Sequence, residues 1–169
     1  MTEDKKELIT NFSLKKITKE EFFKQFKVEK NIKDYILDSL NNAYANKKED
    51  VLEHALLLYF NLNDFKFDNS NTELLGEILL EEWHNNHEDL AMIFQDMRDP
   101  RSIPFLEKAM NLNLEYLDYN DGESLIRKCA YALGDIDNSI SWDKINSLLS
   151  SDNPIIRAAA TEQLNRKQS

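Results

Sequence analysis

Three glycines and three prolines are all the punctuation that 169 residues carry. Ordinary usage is about 7% Gly and about 5% Pro. Hairpins draw on Gly or Asn-Gly turns, and the one dipeptide of that sort is Asp121-Gly122. Long runs without breakers suit helices joined by short turns. The chain therefore reads as all-α, and its length predicts a single domain with a substantial core.

The apolar spacing agrees. Residues 3–12 form a first short helix, and Thr18 with Glu21 makes a capping box ahead of Phe22, Phe23 and Phe26. Asn31 caps a helix whose apolar positions Ile32, Tyr35, Ile36, Leu40 and Ala43 recur at three and four. Asp50 opens VLEHALLLYFNL, whose wide apolar face predicts a central helix. Asp64 to Asn71 is polar loop around Phe65 and Phe67. Thr72 caps a helix to about Trp83, with Gly76 inside it marking a close approach of another helix. Glu88 and Asp89 open the next, and Ser102 caps a helix with Pro104 in its first turn.

Charge is uneven. Residues 1–48 hold 11 Lys/Arg against 8 Asp/Glu, residues 49–123 hold 4 against 18, and residues 124–169 hold 6 against 5. An acidic middle disfavours a nucleic-acid partner, because phosphate binding needs cations that release counterions. It favours a basic protein partner, although an acidic surface that only keeps the chain soluble is an equal reading. The longest apolar run, Ala55–Phe60, falls far short of the ~20 residues of a membrane span. One cysteine, Cys129, and a charged N-terminus without an apolar leader predict a reducing, cytoplasmic setting.

A repeat emerges in the last third. Ile126-Arg127 and Ile156-Arg157 lie 30 residues apart, and Ala130 matches Ala160. Asp99-Pro100 and Asn153-Pro154 are equivalent turn openers, and Gly134 stands where a glycine just past a helix end belongs. This two-helix unit resembles the short HEAT-like repeat, best over residues 99–166. The resemblance implies a single-domain α-α superhelix, a right-handed solenoid of about 8–10 helices. Residues 1–48 would be an N-terminal helical cap, 49–98 degenerate repeats and 99–169 the clearest repeats. It further implies that Arg127 and Arg157 are structural and bond an aspartate in a neighbouring turn, with Asp135, Asp137 and Asp152 available. Over residues 79–166, W-H-x-x-H-E-D, Y-L-x-Y at 116–119 and R-K-C-x-x-A-L-G-D-I at 127–136 look like a group of small bacterial HEAT-repeat proteins. Some of these resemble immunity proteins of polymorphic or contact-dependent toxin systems.

Two stretches are candidates for function. The first, Leu79–Pro104, holds His84 and His87 among Glu81, Glu82, Glu88 and Asp89. Histidines three apart on a helix share a face and can hold a divalent metal. Yet HxxHE matches neither HExxH nor HxxEH, and Asn85-Asn86 marks a turn. The competing reading has the histidines capping helix ends, with Trp83 packing beneath the acidic contacts. The second stretch, EYLDYNDGE, alternates Tyr116 and Tyr119 with Asp118 and Asp121. Tyrosines ringed by acid suit a basic protein surface, and equally suit packing of a connecting loop. Cys129 lies on an apolar face and reads as core, and His54 as a packing histidine. No nucleotide-binding, serine-hydrolase or zinc-cysteine motif is present.

The expected function is a non-catalytic protein-binding module, an immunity protein that occludes a basic, nuclease-like toxin. Its contacts would be Glu81, Glu82, His84, His87, Glu88, Asp89, Tyr116, Asp118, Tyr119 and Asp121, with no cofactor and no metal. One alternative is a HEAT-like glycosylase or lyase acting on nucleic acid, a bilin or another cofactor. The other is a metal-dependent hydrolase built on His84 and His87.

Overall fold

The computed structural model describes residues 1–62 and 65–168, and among these every regular element is helical. The protein is all-α. The chain divides into two compact units, Met1–Lys66 and Phe67–Ser169. None of the helices described is long and apolar enough to cross a membrane.

The first unit holds α1 (Glu3–Ser13), α2 (Lys19–Gln25), α3 (Ile32–Asn46) and α4 (Glu49–Leu62). Its capping box forms as the residue types require. Glu21 N–H donates to the Thr18 hydroxyl over 3.2 Å, and Thr18 N–H donates to the Glu21 carboxylate over 2.8 Å. Phe22 is thereby aimed inward, stacked between Phe12 and Phe26 at centroid distances of 4.6 and 4.7 Å. The Asn31 side chain caps α3, accepting from Asp34 N–H over 2.9 Å, and α3 stops where Lys47 turns left-handed at φ 50°. Helix α4 is central to this unit. It buries Val51, Leu52, Ala55, Leu56, Leu58, Tyr59 and Leu62 and packs on both α1 and α3. His54 is a packing histidine: Nδ1 lies 2.6 Å from the Asp50 carbonyl and so donates, leaving Nε2 to accept from Thr10 Oγ1 at 3.2 Å.

The second unit holds α5 (Thr72–Leu79), α6 (His87–Met97), α7 (Ile103–Ala109), α8 (Glu123–Ile136), α9 (Ser139–Leu148) and α10 (Pro154–Gln168). Helix α6 packs on α8, α8 on α10 and α5 on α7, and consecutive helices pair as α5–α6, α7–α8 and α9–α10. The core runs along α8, which buries Leu125, Ile126, Cys129, Ala130, Ala132, Leu133 and Ile136. Gly76 is a close approach between helices: a Cβ there would stand 2.5 Å from the Phe105 ring of α7.

Several expected boundaries move. Asp64, expected to begin a polar loop, lies outside the described residues. Beyond it Asp68, not Thr72, provides the cap, accepting from Ser70 N–H over 2.9 Å ahead of a 3-10 turn at Asn69–Asn71. The Thr72 hydroxyl is turned inward instead and donates to the buried Asp99 carboxylate. Ser102 likewise makes no side-chain cap, and its hydroxyl donates to the Asp99 carbonyl over 2.7 Å. Asp99 caps that segment, accepting from Arg101 N–H over 3.2 Å. Gly134 does not lie past a helix end. It is buried inside α8, which runs to Ile136 and stops at a left-handed Asp137. Packing decides this: a Cβ at Gly134 would stand 2.7 Å from the Arg166 guanidinium and 2.8 Å from the Gln163 amide, both on α10.

The expected Arg–Asp bonds are replaced by others. Arg157 donates to the carbonyls of Ser151 and Asp152 over 2.6 and 3.0 Å, not to a carboxylate. Arg127 pairs across to Glu162 at 3.1 Å and along its own helix to Glu123 at 3.8 Å. Asp135 is eight residues further along α8, about 12 Å away by helical rise, beyond the reach of Arg127. It serves Arg166 and Gln95 instead, and Asp137 accepts from the Trp142 indole over 2.7 Å.

Candidate functional site

Helix α5 ends at Leu79, a turn short of Trp83, and the two histidines bond to carbonyls at and just beyond that end. A helix leaves its last carbonyls without partners. His84 Nε2 lies 2.8 Å from the Ile78 carbonyl, while its Nδ1 accepts from Asn86 N–H over 3.1 Å. His84 is therefore the neutral tautomer with the proton on Nε2. His87 Nε2 lies 2.9 Å from the Glu81 carbonyl, so it too donates. Its Nδ1 then accepts from the Tyr116 hydroxyl at 3.0 Å. The two rings stack with centroids 4.3 Å apart and planes at 28°, and Trp83 meets His84 edge-on at 4.8 Å.

Both histidines are buried, at 1% and 0% exposure. Burial, followed by the neighbouring His84, holds the His87 ring down at about 4, against the opposing bond to the Glu81 carbonyl. Burial, followed by Glu88, pushes the Tyr116 hydroxyl up to about 12. All four ring nitrogens are engaged with backbone or tyrosine, and the described residues bring together no metal-sized group of three His, Cys, Asp or Glu side chains. Where the sequence reads them as partner contacts, the structure places the two histidines in the interior, as struts between the end of α5, the start of α6 and the 3-10 segment Glu115–Asn120.

Glu88 and Asp89 begin α6, where its N-terminal dipole favours them. Glu88 is half-buried, accepting from Ser124 Oγ over 2.6 Å and pairing with Lys128 at 3.2 Å. The Asp89 carboxyl is raised above its ordinary range, burial being the largest cause. Glu88 thus braces α6 against α8, while Asp89 bonds back to the Asn86 side chain just ahead of its own helix.

The outward acidic residues are others. Glu82, Asp118, Tyr119 and Asp121 are exposed, Tyr119 at 78%. Glu82 and Tyr116, from the two stretches singled out in the sequence, meet in one cleft of about 680 Å³. Asn85, Asn113, Leu114 and Glu115 complete its walls. Asp118 and Asp121 face a different concavity, of about 300 Å³, beside Asn111 and Asn153. No protein-family model matches the chain, and no curated protein or solved structure matches it. The site thus stands on its own geometry: an acidic, amide-rich cleft backed by a neutral His–His–Tyr stack. Asn113 has no signal in the sequence, since it lies 28 residues from Asn85 and only the docking of the α7–α8 connection brings them together.

Cys129 is a poor nucleophile. Cys129 is fully buried, and burial pushes its thiol far above the ordinary range, so no thiolate forms at neutral pH. The two carboxylates of the cleft, Glu82 and Glu115, are exposed to solvent.

Proposed function

We propose that this protein is a protein-binding module of the HEAT-like kind, acting as an immunity protein toward a basic toxin, and that the Glu82–Glu115 cleft is where the partner docks. One observation carries the reading: two exposed carboxylates, two amides and a tyrosine converge on a single cleft in a region where 18 acidic residues oppose 4 basic ones. An arginine or lysine side chain fits that chemistry, since carboxylates and amide oxygens accept its donors and Tyr116 offers a ring beside it. The order of packing in the second unit, α6 on α8 on α10 with α5 on α7, supports stacked helix pairs of a solenoid. The engaged histidine nitrogens weigh against a metal-dependent hydrolase, and the acidic cleft weighs against a nucleic-acid enzyme.

Co-expression with the product of a neighbouring gene tests the proposal. A stable complex is expected, with association slowed by added salt and affinity lowered about tenfold or more by Glu82→Lys with Glu115→Lys. No complex with any neighbouring product, or a complex indifferent to both substitutions, sinks it.

A further inference from the structure

The docking cleft is lined by residues from two distant segments, 82–85 and 113–116, and one imidazole is bonded to both segments' ends. His87 Nε2 donates over 2.9 Å to the carbonyl of Glu81, the residue before Glu82. His87 Nδ1 accepts at 3.0 Å from the hydroxyl of Tyr116. That imidazole is fully buried and stacked at 4.3 Å on His84, whose two nitrogens are bonded as well. A buried group with every polar atom met is a rigid support.

The support limits what Tyr116 can offer. Its one hydroxyl proton goes to Nδ1, because Nε2 already carries the proton of the neutral imidazole. Tyr116 therefore has no donor left for a ligand, and its remaining asset is the ring. The charged residues lining the cleft are Glu82 and Glu115, with no Lys, Arg or His beside them. Carboxylates and an aromatic ring, without a charged donor, suit a cation. They suit a guanidinium better than an ammonium. The guanidinium is planar, stacks on aromatic faces and carries five N–H donors, whereas the ammonium is a compact, strongly hydrated charge with three.

We propose that the Glu82–Glu115 cleft is an arginine pocket and that His87 is its positioning residue, holding the Tyr116 ring where the guanidinium stacks while Glu82 and Glu115 accept its N–H groups. The inference rests on the docking reading above and adds the partner's anchor, an exposed arginine rather than a lysine.

Isothermal titration of the full chain at low salt tests it, with tetra-arginine and tetra-lysine peptides of equal charge. The arginine peptide should bind about fivefold tighter. Tyr116→Leu removes the ring and should level the two peptides. His87→Leu and Tyr116→Phe break one hydrogen bond from its two sides, and each should cut the preference to about twofold. Tyr116→Phe keeps the test decisive should His87→Leu not fold. Positioning has a readout of its own, carbon NMR of labelled tyrosine. The Tyr116 hydroxyl is held up at about 12, by burial first and Glu88 next. In His87→Leu the released ring reaches solvent and should titrate near the ordinary value of about 10. Equal affinity of the parent for both peptides overturns the arginine pocket and leaves the docking reading standing. Failure of either peptide to bind at all overturns the docking reading too. A preference undiminished in Tyr116→Phe, or a Tyr116 titration unmoved in His87→Leu, overturns the positioning role.

Discussion

His87 and Gln163 are both polar, both fully buried and both wedged between helices of the second unit, yet their surroundings are opposite. Every hydrogen-bonding atom of the His87 ring has a partner, and the ring is part of the scaffold. Neither polar atom of the Gln163 amide has one among the described residues. Burial alone therefore says little about role. A satisfied buried group holds elements together, whereas an unsatisfied one costs stability.

The comparison can be broken in order of expected effect. His87→Leu should be the most damaging, costing about 4 kcal/mol in denaturant unfolding, because it strands the Glu81 carbonyl and the Tyr116 hydroxyl inside the protein. A loss below about 1 kcal/mol would mean that the stack is not a strut. Next comes acid. The unfolded chain protonates this ring near pH 6.5, the folded chain only near pH 4. Stability from this group is complete above pH 6.5, falls as pH drops toward 4 and is flat below, by about 3 kcal/mol in all. Unfolding curves at pH 7, 5.5 and 4 should show that slope in the parent and lose it in His87→Leu.

Gly134→Ala follows, at about 2 kcal/mol. The new methyl must displace the Gln163 amide and the Arg166 guanidinium, and the gain in helix propensity offsets only part of that cost. Thermal unfolding reads it directly. The smallest effect carries the opposite sign. Gln163→Met keeps the volume and removes two unmet polar atoms, so it should stabilise the protein by about 1 kcal/mol. A destabilising Gln163→Met would place this residue with His87 rather than opposite it.

Much of the helical layout was legible from residue types. Thr18 with Glu21 and Asn31 cap as expected, and Gly76 marks a helix contact, because each depends on neighbours within a few positions or on an absent side chain. Thr72, Ser102 and Gly134 misled for a shared reason. Each is a good local terminus signal, and each is held instead by a partner far along the chain or by a competing cap: Asp99 for Thr72, Asp99 as the cap ahead of Ser102, and α10 for Gly134. The histidine pair was half legible. Capping of helix ends was foreseeable from Asn85-Asn86 as a turn, but the Tyr116 hydroxyl that completes the ring's bonding comes from 29 residues away.

The sequence by itself determined that this chain is helical throughout its regular structure, that its acid gathers in the middle and that no familiar catalytic motif is present. Those properties are sums over local preferences and charges, which need no fold to exist. Only the tertiary structure decided that the histidines lie inside, that Glu82 meets Glu115 and Tyr116 in one cleft, and that the buried Gln163 amide has no hydrogen-bond partner among the described residues. Each of those facts rests on segments about 30 or more residues apart being brought together, and on which buried polar atoms then find partners.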